Sequence, residues 1–348
     1  MFEPWYLSDL VEPAPDAPRL ISTFSGGGGS SMGYKLAGIN VVHACEIDAK
    51  MFNVYKRNIS GTPVFEGSIA DERFKEIVEA ENPDILDGSP PCSTFSVAGN
   101  REESWGELRV FNEGQKKQVL SELFFAFLDL VPLAKPKIVI AENVPGILLG
   151  NAKGYAKAIV QELEDLGYAT QTFILNGAFC GVPQIRRRVF FIGRLPDIQP
   201  LRVQVDDQPT TVKQALAGIK NDVKRKPFKK GGEIERWMRL TLPGEKLSDA
   251  RERVRSSPWE CGFNHVRVGW EGPARTITSH GSICHPLEVG HLTEKEFQRL
   301  GTFPEDYDFG TPVGDYIGTT TQQYIVGMSV PPRMAERVGM AAKFALDC

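Results

Sequence analysis

Short apolar runs punctuate the first half of the chain, with helix-spaced stretches between them. RLISTF (19–24), VVHACEI (41–47), PDILDG (83–88), KIVIAEN (137–143), ATQTFIL (169–175) and RVFFIG (188–193) read as strands. Ser30 to Ala37, the run around Leu120–Leu133 and the stretch Tyr155–Leu166 read as helices. Strands alternating with helices predict an α/β fold, a mostly parallel sheet covered on both faces. In such sheets ligands bind beyond the carboxyl ends of the strands. After Arg194 the pattern breaks into prolines, basic residues and short irregular runs, up to about Tyr316. The expected organisation is therefore an N-terminal extension (1–18), a catalytic and cofactor-binding domain (19–194) and a second, smaller domain (195–316). A C-terminal segment (317–348) ends in a helix over Met334–Leu346 that returns to the first domain.

Two loops at strand ends carry candidate chemistry. FSGGGGSS follows the first strand, where glycines permit a tight turn and close approach of backbone to a ligand. Glu46, at the end of the second strand, can accept hydrogen bonds from both ribose hydroxyls of a nucleoside. A dinucleotide turn is the competing reading: Gly26 and Gly28 fit the start of a GxGxxG pattern, but its last position is Ser31. Nothing later in the chain resembles hydride chemistry. The second loop, DGSPPCSTFS (87–96), follows the PDILDG strand. Pro90 and Pro91 have fixed φ and no N–H, so they stiffen the approach to Cys92. A cysteine so placed is a candidate nucleophile, against the ordinary alternative of a small buried hydrophobe.

Charge adds an asymmetry. The net charge is −4, yet residues 211–259 hold thirteen Lys plus Arg against six Asp plus Glu, a local +7 that leaves −11 elsewhere. A basic segment in an acidic chain suits phosphates, and a solvated surface explains it equally well. The six cysteines are dispersed without a CxxC pair, which argues against a disulfide framework and a zinc site; no metal is expected. The N-terminus carries acid and proline where a signal peptide needs basic then apolar residues, and no apolar run approaches the ~20 residues of a membrane span. A cytoplasmic protein is expected.

The ordered motifs make a family resemblance. FSGGGG (24–29), PPCSTFS (90–96), ENV (142–144), LNGAFCGVPQ (175–184), QIRRR (184–188), PARTIT (273–278), LTEKEFQRLGTFPEDY (292–307) and VGMSVPP (326–332) resemble the blocks of DNA cytosine-5 methyltransferases, in their order. The resemblance spans roughly residues 19–333. It implies a Rossmann-like class I S-adenosylmethionine-dependent methyltransferase sheet, with the region after Arg194 as a target-recognition domain. By that resemblance Cys92 attacks carbon 6 of a flipped-out cytosine, Glu142 binds ring nitrogen 3 and the amino group, and Arg188 holds the exocyclic oxygen. Arg186 supports the cysteine loop or meets a phosphate. S-adenosylmethionine is the implied cofactor, lined by Phe24, Gly26, Gly28, Glu46, Ile47, Ser68, Pro90, Met328 and Val330. Pro91, Ser93 and Asn143 fall on the substrate side. From the basic run, Lys224, Arg225, Lys226, Lys229 and Lys230 are the expected phosphate contacts.

Three positions depart from the family pattern. Ser68 stands where Asp is frequent, Ser93 where Gln or a similar polar residue is common, and Met328 where most members have Asn. They bear on cofactor affinity and pocket shape, and leave Cys92, Glu142 and Arg188 intact. The expected partner is double-stranded DNA, bound by a monomer; the sequence leaves open whether a cognate restriction endonuclease accompanies it. The alternatives are an RNA cytosine-5 methyltransferase on the same fold, or a DNA-binding module with a vestigial cofactor site.

Overall fold

Seven strands pair into one sheet in the protein's computed structural model, which describes all residues except 1, 11, 92–107, 110–117, 120–121, 151, 220–224, 256–264 and 311–320. In chain order they are β1 (Arg19–Thr23), β2 (Asn40–Glu46), β3 (Val64–Glu66), β4 (Ile85–Gly88), β5 (Ile138–Asn143), β6 (Ala169–Asn176) and β7 (Arg187–Arg194). The spatial order is β3-β2-β1-β4-β5-β7-β6. The β1–β2, β1–β4, β2–β3 and β4–β5 pairs are parallel, whereas β7 runs antiparallel to β5. Every residue of β4 and β5 is buried, which is what both-face coverage requires of central parallel strands. Their cores are Val/Ile/Leu-rich, and the core they share continues into Phe74, Phe124, Phe127, Ile159 and Phe191.

This sheet belongs to the larger of two compact units, formed by residues 10–175, 187–204 and 335–348. Its strand order reverses between β1 and β4, so the loops leaving those two neighbours open the crevice where such sheets bind ligands. The glycine turn leaves β1 and the Pro-Pro-Cys loop leaves β4. Helices α1 (Gly29–Leu36), α2 (Ala49–Asn58) and α3 (Glu72–Glu81) connect the first strands. The Asp48 carboxylate accepts from the Lys50 and Met51 N–H groups and caps α2; Asp71 caps α3 through the Arg73 N–H. The expected strands are all present. β3 was not foreseen: it is three residues long, half-exposed, and has no periodicity to read.

The smaller unit comprises residues 1–9, 176–186 and 205–334. It holds short helices, among them Glu233–Met238, Glu294–Leu300 and Thr321–Met328, and two-residue strand pairs such as Gln184–Ile185 with Ala274–Arg275. A small core gathers Phe228, Trp237, Met238, Leu247 and Cys284. Its limits differ from the composition-based boundaries. The first residues are not a free extension: Trp5 is buried and its indole N–H donates to the Thr302 carbonyl at 2.9 Å. The terminal helix Pro332–Asp347 lies, from residue 335, with the sheet unit, where Gly339 packs against Tyr34, Ala37 and Ile39.

Candidate active site

The turn after β1 is built on unusual backbone. Phe24 has φ +51°, rare for a bulky L-residue, and Gly26 and Gly28 follow at +51° and +85°. A side chain at Gly28 would also meet Ile59 Cδ1 at 2.3 Å. Glu46, buried at the end of β2, is aimed at this turn: its carboxylate accepts from Gly26 N–H at 2.7 Å and from Asp48 N–H at 2.8 Å. Burial nevertheless pushes its pKa up to about 7, the backbone donors only partly opposing the shift. With Ile47 N–H as a third backbone donor, the carboxylate still has acceptor capacity for a further donor. Ile47, next in sequence, is an apolar side chain 36% exposed. Ser68 is half-buried and its hydroxyl accepts from the Ala70 N–H at 3.2 Å. A buried acid, glycines at positive φ and an exposed aliphatic side chain at one strand edge could hold a nucleoside, with Glu46 accepting from hydroxyls and Ile47 offering an apolar face.

A polar row crosses one face of the sheet. Ser22 on β1 is in register with Asp87 on β4, and Asp87 with Ile140 on β5. Glu142 lies two residues on from Ile140 and so points to the same face. Across the antiparallel pair Glu142 faces Phe190, which places Arg188 on that face too. The Arg188 Nε is 2.7 Å from Glu142 Oε1, with both side chains largely buried. Asp87 accepts hydrogen bonds from Tyr34 Oη at 2.7 Å and Ser22 Oγ at 3.2 Å. Burial raises Asp87 to about 7, and the nearby Glu142 charge adds to the shift. The Tyr34 hydroxyl is held well above its ordinary value, first by burial and then by Asp87. Sequence reasoning passed over Asp87 and Tyr34. The signal was an acid inside an otherwise apolar strand, which must find partners if it is buried.

Asn143 is corrected from a substrate contact to a support for the loop. It is 2% exposed; its amide donates to the Pro90 carbonyl at 3.2 Å and its side-chain oxygen accepts from Val144 N–H. β5 thus pins the chain two residues before Cys92. Pro90 is buried and Pro91 half-buried; Cys92 and Ser93 lie outside the described residues, as does Lys224.

In the smaller unit Arg186 is 1% exposed, and its guanidinium donates to the carbonyls of Ile277, Gly327 and Ser329 at 3.1, 2.9 and 2.7 Å. It ties the PARTIT segment to the VGMSVPP turn, and its burial does not suit a phosphate contact; the expected support of the cysteine loop falls on residues outside the described ones. Arg225 is likewise corrected. Its guanidinium is turned inward, bidentate to Glu296 at 2.6 and 3.0 Å, with Nε 3.1 Å from Glu288. Lys226, Lys229 and Lys230 are exposed. Val330 is buried, while Met328 is 56% exposed. Among the described residues no cluster of three His, Cys, Asp or Glu could hold a metal, and no helix is long and apolar enough to cross a membrane.

Known proteins match this arrangement. The family model of the C-5 cytosine-specific DNA methylases fits residues 18–343. The Type II methyltransferase M.DdeI of Desulfomicrobium norvegicum is 30% identical over 81% of this chain and 64% of its own length. The Type II methyltransferase M.NgoFVII of Neisseria gonorrhoeae is 28% identical, over 93% of this chain and 86% of its own. This chain thus spans just under two thirds of the first of these relatives and most of the second. Among solved structures, an E. coli prophage-encoded protein assigned as a DNA modification methyltransferase superposes with a TM-score of 0.70 at 21% identity, covering 95% of this chain and 100% of that one. A Spodoptera frugiperda DNMT2 variant gives 0.63 at 16% identity, covering 94% and 100%, a likeness of fold. The motif order, the Rossmann-like sheet and the match of the family model over residues 18–343 agree: the chain belongs to the C-5 cytosine-specific DNA methylases, the DNA cytosine-5 methyltransferases.

Proposed function

We propose that the protein methylates carbon 5 of cytosine in double-stranded DNA, with Cys92 as covalent nucleophile and S-adenosylmethionine as methyl donor. The observation that carries the reading is the Glu142–Arg188 pair, 2.7 Å apart on strands β5 and β7, beside the strand that runs into the Pro-Pro-Cys loop. Carbon 5 of cytosine is a poor nucleophile, and adding a thiolate at carbon 6 makes the ring enamine-like and nucleophilic there. Glu142 supplies a proton at ring nitrogen 3, neutralising the charge that develops during attack. Arg188 holds the exocyclic oxygen. After methyl transfer a base removes the carbon 5 proton and Cys92 leaves, regenerating the aromatic ring. The base reaches this pocket by leaving the duplex, at a cost of a few kcal/mol.

In the sheet unit the cofactor would be held by Glu46 on the ribose, Ile47 on the adenine face, Ser68 toward the adenine amino group, and Phe24, Gly26 and Gly28 along the methionine and adenine sides. When bound, S-adenosylmethionine supplies an electrophilic methyl group on a sulfonium. Met328 and Val330 are carried over as cofactor residues by the motif match alone. The Type II relatives suit a role beside a cognate restriction endonuclease; that the enzyme is monomeric and cytoplasmic is part of the same proposal.

The test is a covalent trap. Duplex DNA with 5-fluorocytosine at the target site should form an adduct stable to denaturing gels, and only when S-adenosylmethionine is added, because fluorine cannot leave as a proton does. Cys92→Ser should abolish both the adduct and methyl transfer. Near-normal transfer by that variant overturns the covalent mechanism.

A further inference from the structure

Glu142 faces a conflict. To donate a proton it must be protonated, yet the Arg188 guanidinium 2.7 Å away favours its anion. The row on the sheet contains a counterweight. Asp87 lies one strand over from Glu142 on the same face, and both are buried, at 2% and 7% exposure. Each acid disfavours ionisation of the other, and low dielectric makes that repulsion long-ranged. Two hydroxyls, Tyr34 on α1 and Ser22 on β1, donate to Asp87 and stabilise its anion. Two arrangements have equal net charge: Asp87 ionised with Glu142 protonated, or the reverse. The hydroxyls select the first and Arg188 the second.

We propose that Asp87 is a positioning residue for methyl transfer, its carboxylate opposing the Arg188 guanidinium at Glu142 and so keeping Glu142 able to donate a proton. The inference rests on the acid role given to Glu142 above. Among the described residues, strand alternation puts Glu142 on β5, Arg188 and Arg194 on β7 and Glu46 on β2 on this face, and Tyr34 reaches it from α1; Glu46 is two strands from Asp87, and Arg194 pairs with Ile138, four residues from Glu142. Asp87 touches neither base nor cofactor in this role. It acts through Glu142, as one member of a pair of interacting carboxyls.

The experiment is the pH profile of single-turnover methyl transfer from labelled S-adenosylmethionine, using amplified, methyl-free bacterial genomic DNA as substrate. Asp87→Asn keeps the shape and most of the hydrogen bonds but removes the charge. The basic limb, where Glu142 loses its proton, should move to lower pH by roughly half a unit or more. Tyr34→Phe, which removes a donor to the Asp87 anion, should move it in the same direction by less, and serves alone if the Asn variant does not fold. A structural role would lower the rate at every pH without moving the limb. Superimposable basic limbs for wild type and the folded variants overturn the proposal. Absence of transfer by the wild-type protein would overturn the methyltransferase reading instead.

Discussion

At the scale of single residues, Glu46 shows how burial converts an ordinary acid into a pH-dependent ligand. Its carboxyl sits near 7 because desolvation outweighs the Gly26 and Asp48 donors. A ribose hydroxyl donates more strongly to the anion than to the neutral acid. Affinity for S-adenosylmethionine should therefore rise between pH 6 and pH 8, by up to about tenfold if only the anion binds. The stability of the cofactor-free protein should run the other way. The unfolded chain ionises Glu46 first, so the stability this group contributes is complete below its unfolded value near 4.5 and is lost as pH rises through about 7. Calorimetric titrations and thermal melts at the two pH values check both signs. Glu46→Gln should flatten the affinity profile, and an unchanged slope in that variant would remove Glu46 from the ribose.

Among elements, the Thr321–Met328 helix and the segment around Ile277 depend on one arginine and one glycine. Gly327 has no room for a side chain: a Cβ there would lie 2.3 Å from the Ser279 backbone nitrogen and 2.4 Å from the Thr278 carbonyl carbon. Backbone therefore packs on backbone, and Arg186 locks the contact through three carbonyls. Arg186→Met should destabilise the smaller unit by about 3 kcal/mol, since buried carbonyls lose charged donors together. Arg186→Lys should recover less than half, because an ammonium lacks the planar fork that spans three acceptors. Urea midpoints read both, and a shift below about 1 kcal/mol for the Met variant would show the clamp to be dispensable. None of this was legible in QIRRR, where Arg186 and Arg188 look alike. Strand alternation separates them, since i and i+2 share a face only while the strand stays regular; β7 begins at Arg187, and Arg186 precedes it. The sheet was legible because buried parallel strands must be continuous apolar runs, as in KIVIAEN. The glycine turn and the start of the Pro-Pro-Cys loop, to Pro91, follow such runs as expected. Asn143 and Arg225 were misread because sequence shows a polar side chain but not whether backbone or a carboxylate already occupies it.

For the whole molecule, the basic stretch of residues 211–259 is less available to phosphates than its +7 suggests. Arg225 is bound by Glu296 and Glu288, Arg239 pairs with Glu235, Arg251 with Glu233 and Arg253 with Glu245. Those arginines are already paired with carboxylates, and only the Arg225–Glu296 pair is buried. The lysines Lys226, Lys229 and Lys230 remain exposed on a connecting segment, and they are the better candidates for counterion release. Replacing these three with alanine should weaken binding to duplex DNA and lower the slope of log K against log salt by up to about 2.7, at about 0.9 for each phosphate no longer neutralised. The fold should survive, because exposed lysines contribute little to stability. Arg225→Ala should do the opposite. It leaves Glu296, 2% exposed, without its bidentate partner, at a cost of roughly 3–5 kcal/mol, with the salt slope of the remaining folded protein unchanged. Filter binding across a salt series, paired with thermal melts of each variant, separates the two roles. A lowered slope for folded Arg225→Ala, or an unchanged one for the triple lysine variant, would mean that DNA reaches the arginine and not the lysines.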